Sequence, residues 1–138
     1  MGQTAAESTV IGADGKFQLA LTLEKTVFTL GEQVNITVKM TNISGQTVDY
    51  TQTIEDFDFQ VYDDSNNPVY KSAGQVAMAI VILHLSPGES RSQNFAWLQT
   101  CNNTATECNV PAGTYYVIGQ KVLSGLQTPP IQITIVKP

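Results

Sequence analysis

Charge, histidine, cysteine and long apolar runs are all scarce in this 138-residue chain. Charged residues make up 14% of it, and seven Lys and Arg stand against twelve Asp and Glu, which gives a formal net charge of −5. The basic residues are scattered, so they form no cationic patch for nucleic acid or for an anionic membrane surface. No run reaches the roughly 18 apolar residues that a membrane span requires, and the N-terminus lacks the basic and apolar segments of a signal peptide. We therefore expect neither nucleic-acid binding nor a membrane span in this segment.

Residues that carry catalysis or bind metals are scarce too. His84 is the only histidine, and it lies beside an apolar run, where a packed or surface role is commoner than that of a base. The motifs of serine hydrolases, zinc proteases, P-loop proteins and dinucleotide-binding folds do not occur. An acidic stretch lacks the spacing of a calcium-binding EF-hand loop, and we expect it to be solvated; it comprises Glu55, Asp56, Asp58, Asp63 and Asp64. The sequence predicts a protein that is not an enzyme, with no catalytic residue, no metal site and no cofactor.

What the chain does contain is alternation of apolar and polar residues. In Val34–Thr41 every even-numbered residue is apolar and every odd-numbered residue is polar. A strand sends successive side chains to opposite faces, so this segment is a half-buried strand with one wet face. Shorter strands separated by turns are predicted around residues 17–23, 47–53, 57–62, 69–71, 91–98, 114–119 and 131–135. The pattern predicts an all-β fold, an immunoglobulin-like two-sheet antiparallel sandwich of seven to nine strands.

The predicted immunoglobulin-like domain covers residues 16–138, and the small, polar residues 1–15 are expected to form a flexible leader. Two aromatic residues favour the sandwich. Tyr115 stands where a tyrosine corner is expected, with Val117 in the place of the usual core cysteine. Trp97, the only tryptophan, is expected to pack in or near the core.

The segment Val76–Leu83 is a continuous apolar run of eight residues without proline or charge. In a sandwich such a run is usually a central strand covered on both faces. At a sheet edge it would instead be a strand that aggregates or binds a partner. Ser8–Ile11, within the leader, could likewise add as a strand to the sheet edge of a neighbouring molecule.

The two cysteines, Cys101 and Cys108, enclose six residues. That spacing is too long for a redox CxxC pair and supplies only half of a zinc site. We interpret the pair as a disulfide that closes a local polar loop. Two unrelated reduced thiols are the alternative.

Three sequons place Asn35, Asn42 and Asn102 as candidate glycosylation sites, although a chain rich in Asn and Thr also produces sequons by chance. Asn35 falls on the outward parity of its strand, and the other two fall in predicted turns. Together with the disulfide, the sequons favour a secreted glycoprotein at an extracellular or cell-surface location. A cytoplasmic location is the alternative.

From Val38 to Trp97, and again near Tyr115, the chain resembles the BsuPI family of intracellular proteinase inhibitors. The motifs that carry the resemblance are, in order, Thr41-Asn42, Asp56 to Asp63, Pro68 to Ser72, Leu85 to Ser90, Phe95-Ala96-Trp97 and Gly113-Thr114-Tyr115. The chain departs from the family at Tyr70, where tryptophan is usual, and in the apolar run, where a polar loop is usual. The resemblance implies an immunoglobulin-like sandwich and a protease as partner. It assigns no site residue.

Two functions follow as hypotheses. The first is a protein-binding module resembling a proteinase inhibitor, with the loop between the cysteines as its contact; the candidate binding residues are Asn102, Asn103, Thr104 and Glu107. A constrained loop loses less entropy on binding, which favours affinity. The second is a structural cell-surface or filament module that assembles by β-strand addition. The expected partner is accordingly a protease, a cell-surface protein or a second copy of the chain.

Overall fold

A computed structural model describes residues 5–53, 56–71, 80–101, 108–122 and 125–138. Within these ranges the chain forms strands and turns and no helix, which confirms the all-β prediction. The strands are β1 (Ala6–Ile11), β2 (Phe17–Leu23), β3 (Val27–Thr29), β4 (Val34–Asn42), β5 (Val48–Thr53), β6 (Phe57–Asp63), β7 (Pro68–Lys71), β8 (Ile80–Leu85), β9 (Ser90–Trp97), β10 (Thr100–Cys101), β11 (Cys108–Asn109), β12 (Gly113–Lys121), β13 (Leu126–Gln127) and β14 (Ile131–Val136). None of the structure's described segments is a helix long and apolar enough to cross a membrane.

Two larger sheets make up the sandwich. The first has the order β1-β2-β4-β9, and every pair in it is antiparallel. The second has the order β3-β14-β12-β6-β7, with β13 also paired to β12, and only its β3–β14 pair is parallel. Two further pairs, β5–β8 and β10–β11, stand apart as two-stranded ribbons. These ribbons and several very short strands raise the number of segments above the predicted seven to nine, and the immunoglobulin-like connectivity remains a prediction.

The core lies between the two sheets and follows the alternation of the strands. In β4 the even-numbered residues are buried and Asn35 and Lys39 are exposed, as the sequence predicted. Apolar side chains of β2 and β4 from one sheet and of β6, β12 and β14 from the other form a single buried cluster. Burying each such side chain contributes about 1.5–3 kcal/mol relative to leaving it in water, so this cluster is the main stabilising feature of the fold.

The two sheets approach each other closely at Gly119 of β12. A β-carbon built there would lie 3.3 Å from Cβ of Leu21 and 3.3 Å from Cγ2 of Val38. Both neighbours are fully buried side chains of the opposite sheet. A glycine at this position therefore lets β12 pack directly on β2 and β4.

Aromatic residues from the motifs that carry the family resemblance pack together inside the sandwich. Tyr115 is buried, and its hydroxyl donates a 2.6 Å hydrogen bond to the carbonyl oxygen of Pro111, which is the geometry of a tyrosine corner. The ring of Trp97 lies edge-on to Tyr115 and to Tyr70, with centroids 6.3 Å and 6.5 Å away. The indole N–H of Trp97 donates to the carbonyl oxygen of Thr100 at 2.9 Å. Three separate motifs thus contribute aromatic side chains to one packed group, which consists of Tyr70, Trp97 and Tyr115.

The predicted leader contains a strand. Residues 6–11 form β1, which pairs antiparallel with β2 along its whole length, from Ala6 opposite Leu23 to Ile11 opposite Gln18. The hydroxyl of Ser8 also donates to the carbonyl oxygen of Pro129 at 2.7 Å. The alternation of Ala6-Glu7-Ser8-Thr9-Val10 was too polar to reveal this strand. In this structure the segment completes the chain's own sheet.

Candidate functional site

The ribbon formed by β5 and β8 carries three exposed aliphatic side chains in succession. Ile80, Val81 and Ile82 are 53%, 53% and 61% exposed. Ile80 and Ile82 project from one face and Val81 from the other, because successive residues of a strand alternate. Leu83 is half-buried and Leu85 is fully buried. The strand therefore leaves the body of the protein between Leu85 and Ile80, and both of its faces reach solvent at the far end.

The prediction of a central strand for Val76–Leu83 is wrong for the part that the structure describes. Among the described strands, Ile80–Leu85 pairs only with Val48–Thr53. Residues 76–79 lie outside the described ranges. A continuous apolar run is buried on both faces only when other layers cover both, and here Ile80, Val81 and Ile82 are exposed.

Among the described strands β8 pairs only with β5, which leaves its other edge unpaired there. This free edge lacks the features that usually protect a sheet edge, which are short length, charge and proline. The outermost strands of the two large sheets have such features: β3 has three residues, β7 begins at Pro68, β1 contains Glu7 and β9 contains Arg91. β8 has six residues and contains no proline, Asp, Glu, Lys or Arg. Its one titratable residue, His84, lies with Nδ1 2.8 Å from Oδ1 of Asp49 on the neighbouring strand. Within the described parts of the chain, the outer edge of β8 is therefore open to pairing with another strand.

A buried asparagine fixes the end of β8 that joins the body. Asn42 is fully buried, and its side-chain amide donates to the carbonyl oxygens of Leu85 at 3.0 Å and Gln46 at 2.6 Å. Its main chain is bonded to the turn after β8, through Gly88 N–H at 2.9 Å and the carbonyl of Glu89 at 3.0 Å. Gly88 has φ of 81°, which favours glycine. Two of the motifs that carry the family resemblance thus meet at the base of the ribbon, namely Thr41-Asn42 and Pro87-Gly88-Glu89.

A second buried polar group, here called the anchor cluster, consists of Tyr50, Asp56 and Lys121. Lys121 donates hydrogen bonds to Oδ1 of Asp56 and, at 2.8 Å, to the carbonyl oxygen of Thr51. The hydroxyl of Tyr50 donates to Oδ2 of Asp56. All three members of the cluster are buried. The cluster links β5 of the ribbon to β12 of the large sheet, so it holds the ribbon in one orientation.

Burial governs the electrostatics of the anchor cluster. Burial lowers the pKa of the Lys121 ammonium, while the hydrogen bond and charge of Asp56 act in the opposite direction. Burial, followed by the hydrogen bond to Asp56, raises the pKa of Tyr50. The Lys121 ammonium also lies 4.4 Å from the ring centroid of Tyr50 and 5.5 Å from that of Phe57, within the range of cation–π attraction. Each polar member of the cluster is engaged by another, which suits a structural role.

A cleft of about 740 Å³ lies beside the anchor cluster. Phe17, Met40 and Leu126 supply apolar walls, and Asp14 and Asp49 supply carboxylates. Nowhere in the described ranges do three or more His, Cys, Asp or Glu residues group as a metal site would require. The cleft adjoins the base of the ribbon, and its chemistry is that of an apolar groove with acidic residues.

The anchor cluster does not emerge from the sequence pattern. The acidic stretch predicts a solvated Asp56, whereas the structure buries this residue against Lys121. One signal was present: Lys121 continues the inward parity of Tyr115, Val117 and Gly119 along β12. A lysine on the core side of a strand requires a buried partner, because an unpaired charge is too costly to bury.

The predicted loop between the cysteines lies outside the described residues at positions 102–107, including Asn102, Asn103, Thr104 and Glu107. Its base is described. Thr100 pairs with Asn109, and Cys101 pairs with Cys108, in the antiparallel β10–β11 ribbon. The two cysteines are therefore directly opposite each other in the strand register.

The candidate glycosylation sites differ in their surroundings. Asn42 is fully buried, and the side-chain nitrogen that would carry a glycan donates two hydrogen bonds. Asn35 is exposed, as its parity predicted, and its amide donates to Glu24 at 2.9 Å. Asn102 lies outside the described residues.

The chain matches a family of protease inhibitors over most of its length. A family model described as intracellular proteinase inhibitor, BsuPI, matches residues 21–124. The matched segment includes the buried Asn42, the ribbon, and Asp56 and Lys121 of the anchor cluster. No curated protein matched the chain significantly.

Solved structures with a similar fold include domains of much larger enzymes. A β-glucosidase from Listeria innocua aligns with a TM-score of 0.53 and 16% identity over 88% of this chain. A β-glucosidase from Erythrobacter marinus aligns with a TM-score of 0.51 and 11% identity over 96% of this chain. In both cases the chain spans 16% of the other protein's length. At these identities the likeness shows the fold alone.

The family description corrects the predicted location. Cys101, Cys108 and the sequons predict an extracellular or cell-surface protein. The matching family is described as intracellular, and this finding contradicts that location. Sequons arise by chance in chains rich in Asn and Thr, and one of the three here is at the fully buried Asn42.

Proposed function

Because the chain belongs to the intracellular proteinase inhibitor family, we propose that it is a non-enzymatic module that binds a protease. The observation that carries the proposal is the family match over residues 21–124, which is most of the chain. The β-glucosidase likeness does not extend the proposal to glycoside hydrolysis, because it reflects a shared fold.

The ribbon supports a protein as the partner. Exposed large apolar side chains that lie close together favour an interaction surface, and Ile80, Val81 and Ile82 are three such residues in succession on one strand. The buried contacts of Asn42 and Lys121 hold the ribbon before any partner arrives. A surface that is already ordered loses less conformational entropy on binding, which favours affinity.

The loop closed by Cys101 and Cys108 is a second candidate contact. We propose that the two cysteines form a disulfide. Their direct opposition in the β10–β11 register supports it, and none of the cysteines that the structure describes is free. Mass measurement before and after reduction tests the disulfide, and the same spectrum reports any glycan on Asn35 or Asn102.

The direct test of the proposed function is inhibition of purified endopeptidases by the full chain. We expect dose-dependent inhibition of at least one enzyme, with the chain remaining uncleaved in the complex. Cys101→Ser should weaken inhibition if the closed loop is a contact. A broad panel with no inhibited enzyme would contradict the protease-binding function.

Self-assembly by strand addition is the second candidate, and the unprotected edge of β8 favours it. The donor proposed from sequence, Ser8–Ile11, is already paired with β2 in its own chain, so β8 is the better candidate. Light scattering over a range of concentrations tests this function. A monomer at every concentration would exclude it.

A further inference from the structure

The exposed aliphatic side chains of β8 lie on both faces of the strand. Ile80 and Ile82 lie on one face of the strand and Val81 lies on the other, and all three are more than half exposed. Between these two faces runs the main-chain edge that does not pair with β5. A partner that covers this surface fully must therefore contact three sides of the strand.

We propose that the free edge of β8 enters the substrate cleft of the protease and pairs there as an extended strand. This inference rests on the proposed protease-binding function and adds the contact strand and the class of enzyme. Extended peptides are recognised by main-chain hydrogen bonds along a strand edge, and alternate side chains enter pockets that set specificity. β8 presents both features in one segment.

A cleft fits this surface better than a second copy of the chain does. Antiparallel pairing of two β8 strands satisfies the main-chain edge and leaves both faces of each strand open to solvent. Such a contact involves only six residues of each partner, whereas a stable interface buries about 800 Å² on each side. A substrate cleft surrounds the strand and covers Ile80, Val81 and Ile82 together.

The side chains indicate the class of enzyme. Residues 80–83 are Ile, Val, Ile and Leu, with no charged or aromatic residue among them. The primary pocket of trypsin-type enzymes carries a carboxylate, which an aliphatic side chain leaves unpaired, whereas elastase-type enzymes have a small apolar pocket. The partner is therefore an endopeptidase whose pockets accept aliphatic side chains.

The anchoring of the ribbon makes this mode of binding favourable. Leu85 is tied to Asn42, and Thr51 is tied to Lys121, so both strands are held near the body of the protein. The pairing of β5 with β8 keeps β8 extended. Less conformational freedom is lost on binding than for a flexible peptide of the same sequence.

The test uses two matched variants of the full chain. Ile82→Lys places a charge at the centre of the proposed contact, and Ile11→Lys makes the same change at a site of similar exposure on β1, 55% against 61%. Inhibition constants are measured against elastase, chymotrypsin and trypsin. We expect the wild type to inhibit the enzyme with aliphatic specificity, Ile82→Lys to be weaker by at least about tenfold, and Ile11→Lys to be unchanged.

The possible outcomes are distinguishable. Inhibition that is equal in the wild type and in both variants would overturn the β8 contact and leave the protease-binding function standing. Inhibition of trypsin alone would overturn the aliphatic specificity. Failure of the wild type against every enzyme would overturn the proposed function and this inference together. If Ile82→Lys reduced the molecular mass in solution without changing inhibition, the edge would be a contact between copies, contrary to the proposal.

Discussion

Strands β8 and β14 have similar aliphatic residues and opposite environments. β14 alternates isoleucine with polar residues, and Ile131, Ile133 and Ile135 are buried between the sheets. β8 is the more apolar of the two, and Ile80 and Ile82 are exposed. Alternation of apolar and polar residues indicates which face of a strand is exposed to solvent, so it predicts a place in a two-layer fold. An uninterrupted apolar run does not indicate which face is buried, and in β8 part of the run is exposed.

The largest expected effect concerns the anchor cluster, which holds the exposed strand to the buried ones. Lys121→Met leaves Asp56 as a buried charge without its cation, which should lower the free energy of unfolding by about 3–5 kcal/mol. Lys25→Met is the control, because its partner Glu32 is partly exposed and the pair contributes much less. Urea denaturation of both variants measures the difference. Equal losses would contradict the larger stabilisation expected from the buried Lys121–Asp56 pair.

The comparison of the two strands can be tested with one substitution in each. Ile133→Ala should lower the free energy of unfolding by about 2–5 kcal/mol, because it leaves a cavity in the core. Ile82→Ala should change it by less than about 0.5 kcal/mol, because the side chain is largely exposed. Thermal and urea unfolding report both values. A large loss for Ile82→Ala would mean that β8 is packed within the chain.

The buried asparagine at the base of the ribbon gives a smaller effect. Asn42→Ala removes the donor to the carbonyl oxygens of Leu85 and Gln46 and should cost about 1–3 kcal/mol. Asn35→Ala, on the exposed face of the same strand, is the matched control and should be close to neutral. Amide hydrogen exchange across β8 should increase in the Asn42 variant only. Unchanged exchange across β8 in the Asn42 variant would show that Asn42 does not stabilise the ribbon.

The tyrosine corner gives the smallest effect. Tyr115→Phe removes one buried hydrogen bond to Pro111 and should cost about 0.5–1.5 kcal/mol. Tyr116→Phe on the same strand is the control, because its hydroxyl makes only a 3.5 Å contact with Asp64 at the surface. If Tyr116→Phe lowered the free energy of unfolding as much as Tyr115→Phe does, the hydrogen bond to Pro111 would have no special stabilising role.

Sequence patterns predicted the parts of the fold that depend on local alternation. β2, β4, β6 and β14 lie where the pattern placed them, and Tyr115 forms the expected corner. The strand at 6–11 was missed because its polar residues face solvent as an edge strand, which looks like a loop in sequence. The burial of Asp56 and the exposure of Ile82 depend on how distant segments meet, and a local pattern does not contain that information.

The candidate site was predicted only in part. The sequence singled out the apolar run and gave an exposed edge as its second interpretation, and the structure selects that one for Ile80–Leu85. The alternative contact, Asn102 to Glu107, remains a prediction. The family match supports the kind of partner, and the geometry of β8 supports the place where it binds.

Hydrogen exchange of the chain bound to an inhibited protease tests the central claim most directly, because it compares β8 with β14 in one experiment. Amides of Ile80–Leu83 should become strongly protected in the complex, while those of β14 should be unchanged because they already lie within the sandwich. If β8 exchanged at the same rate in the free and bound protein while another segment became protected, the account of β8 as the protease-binding strand would be contradicted.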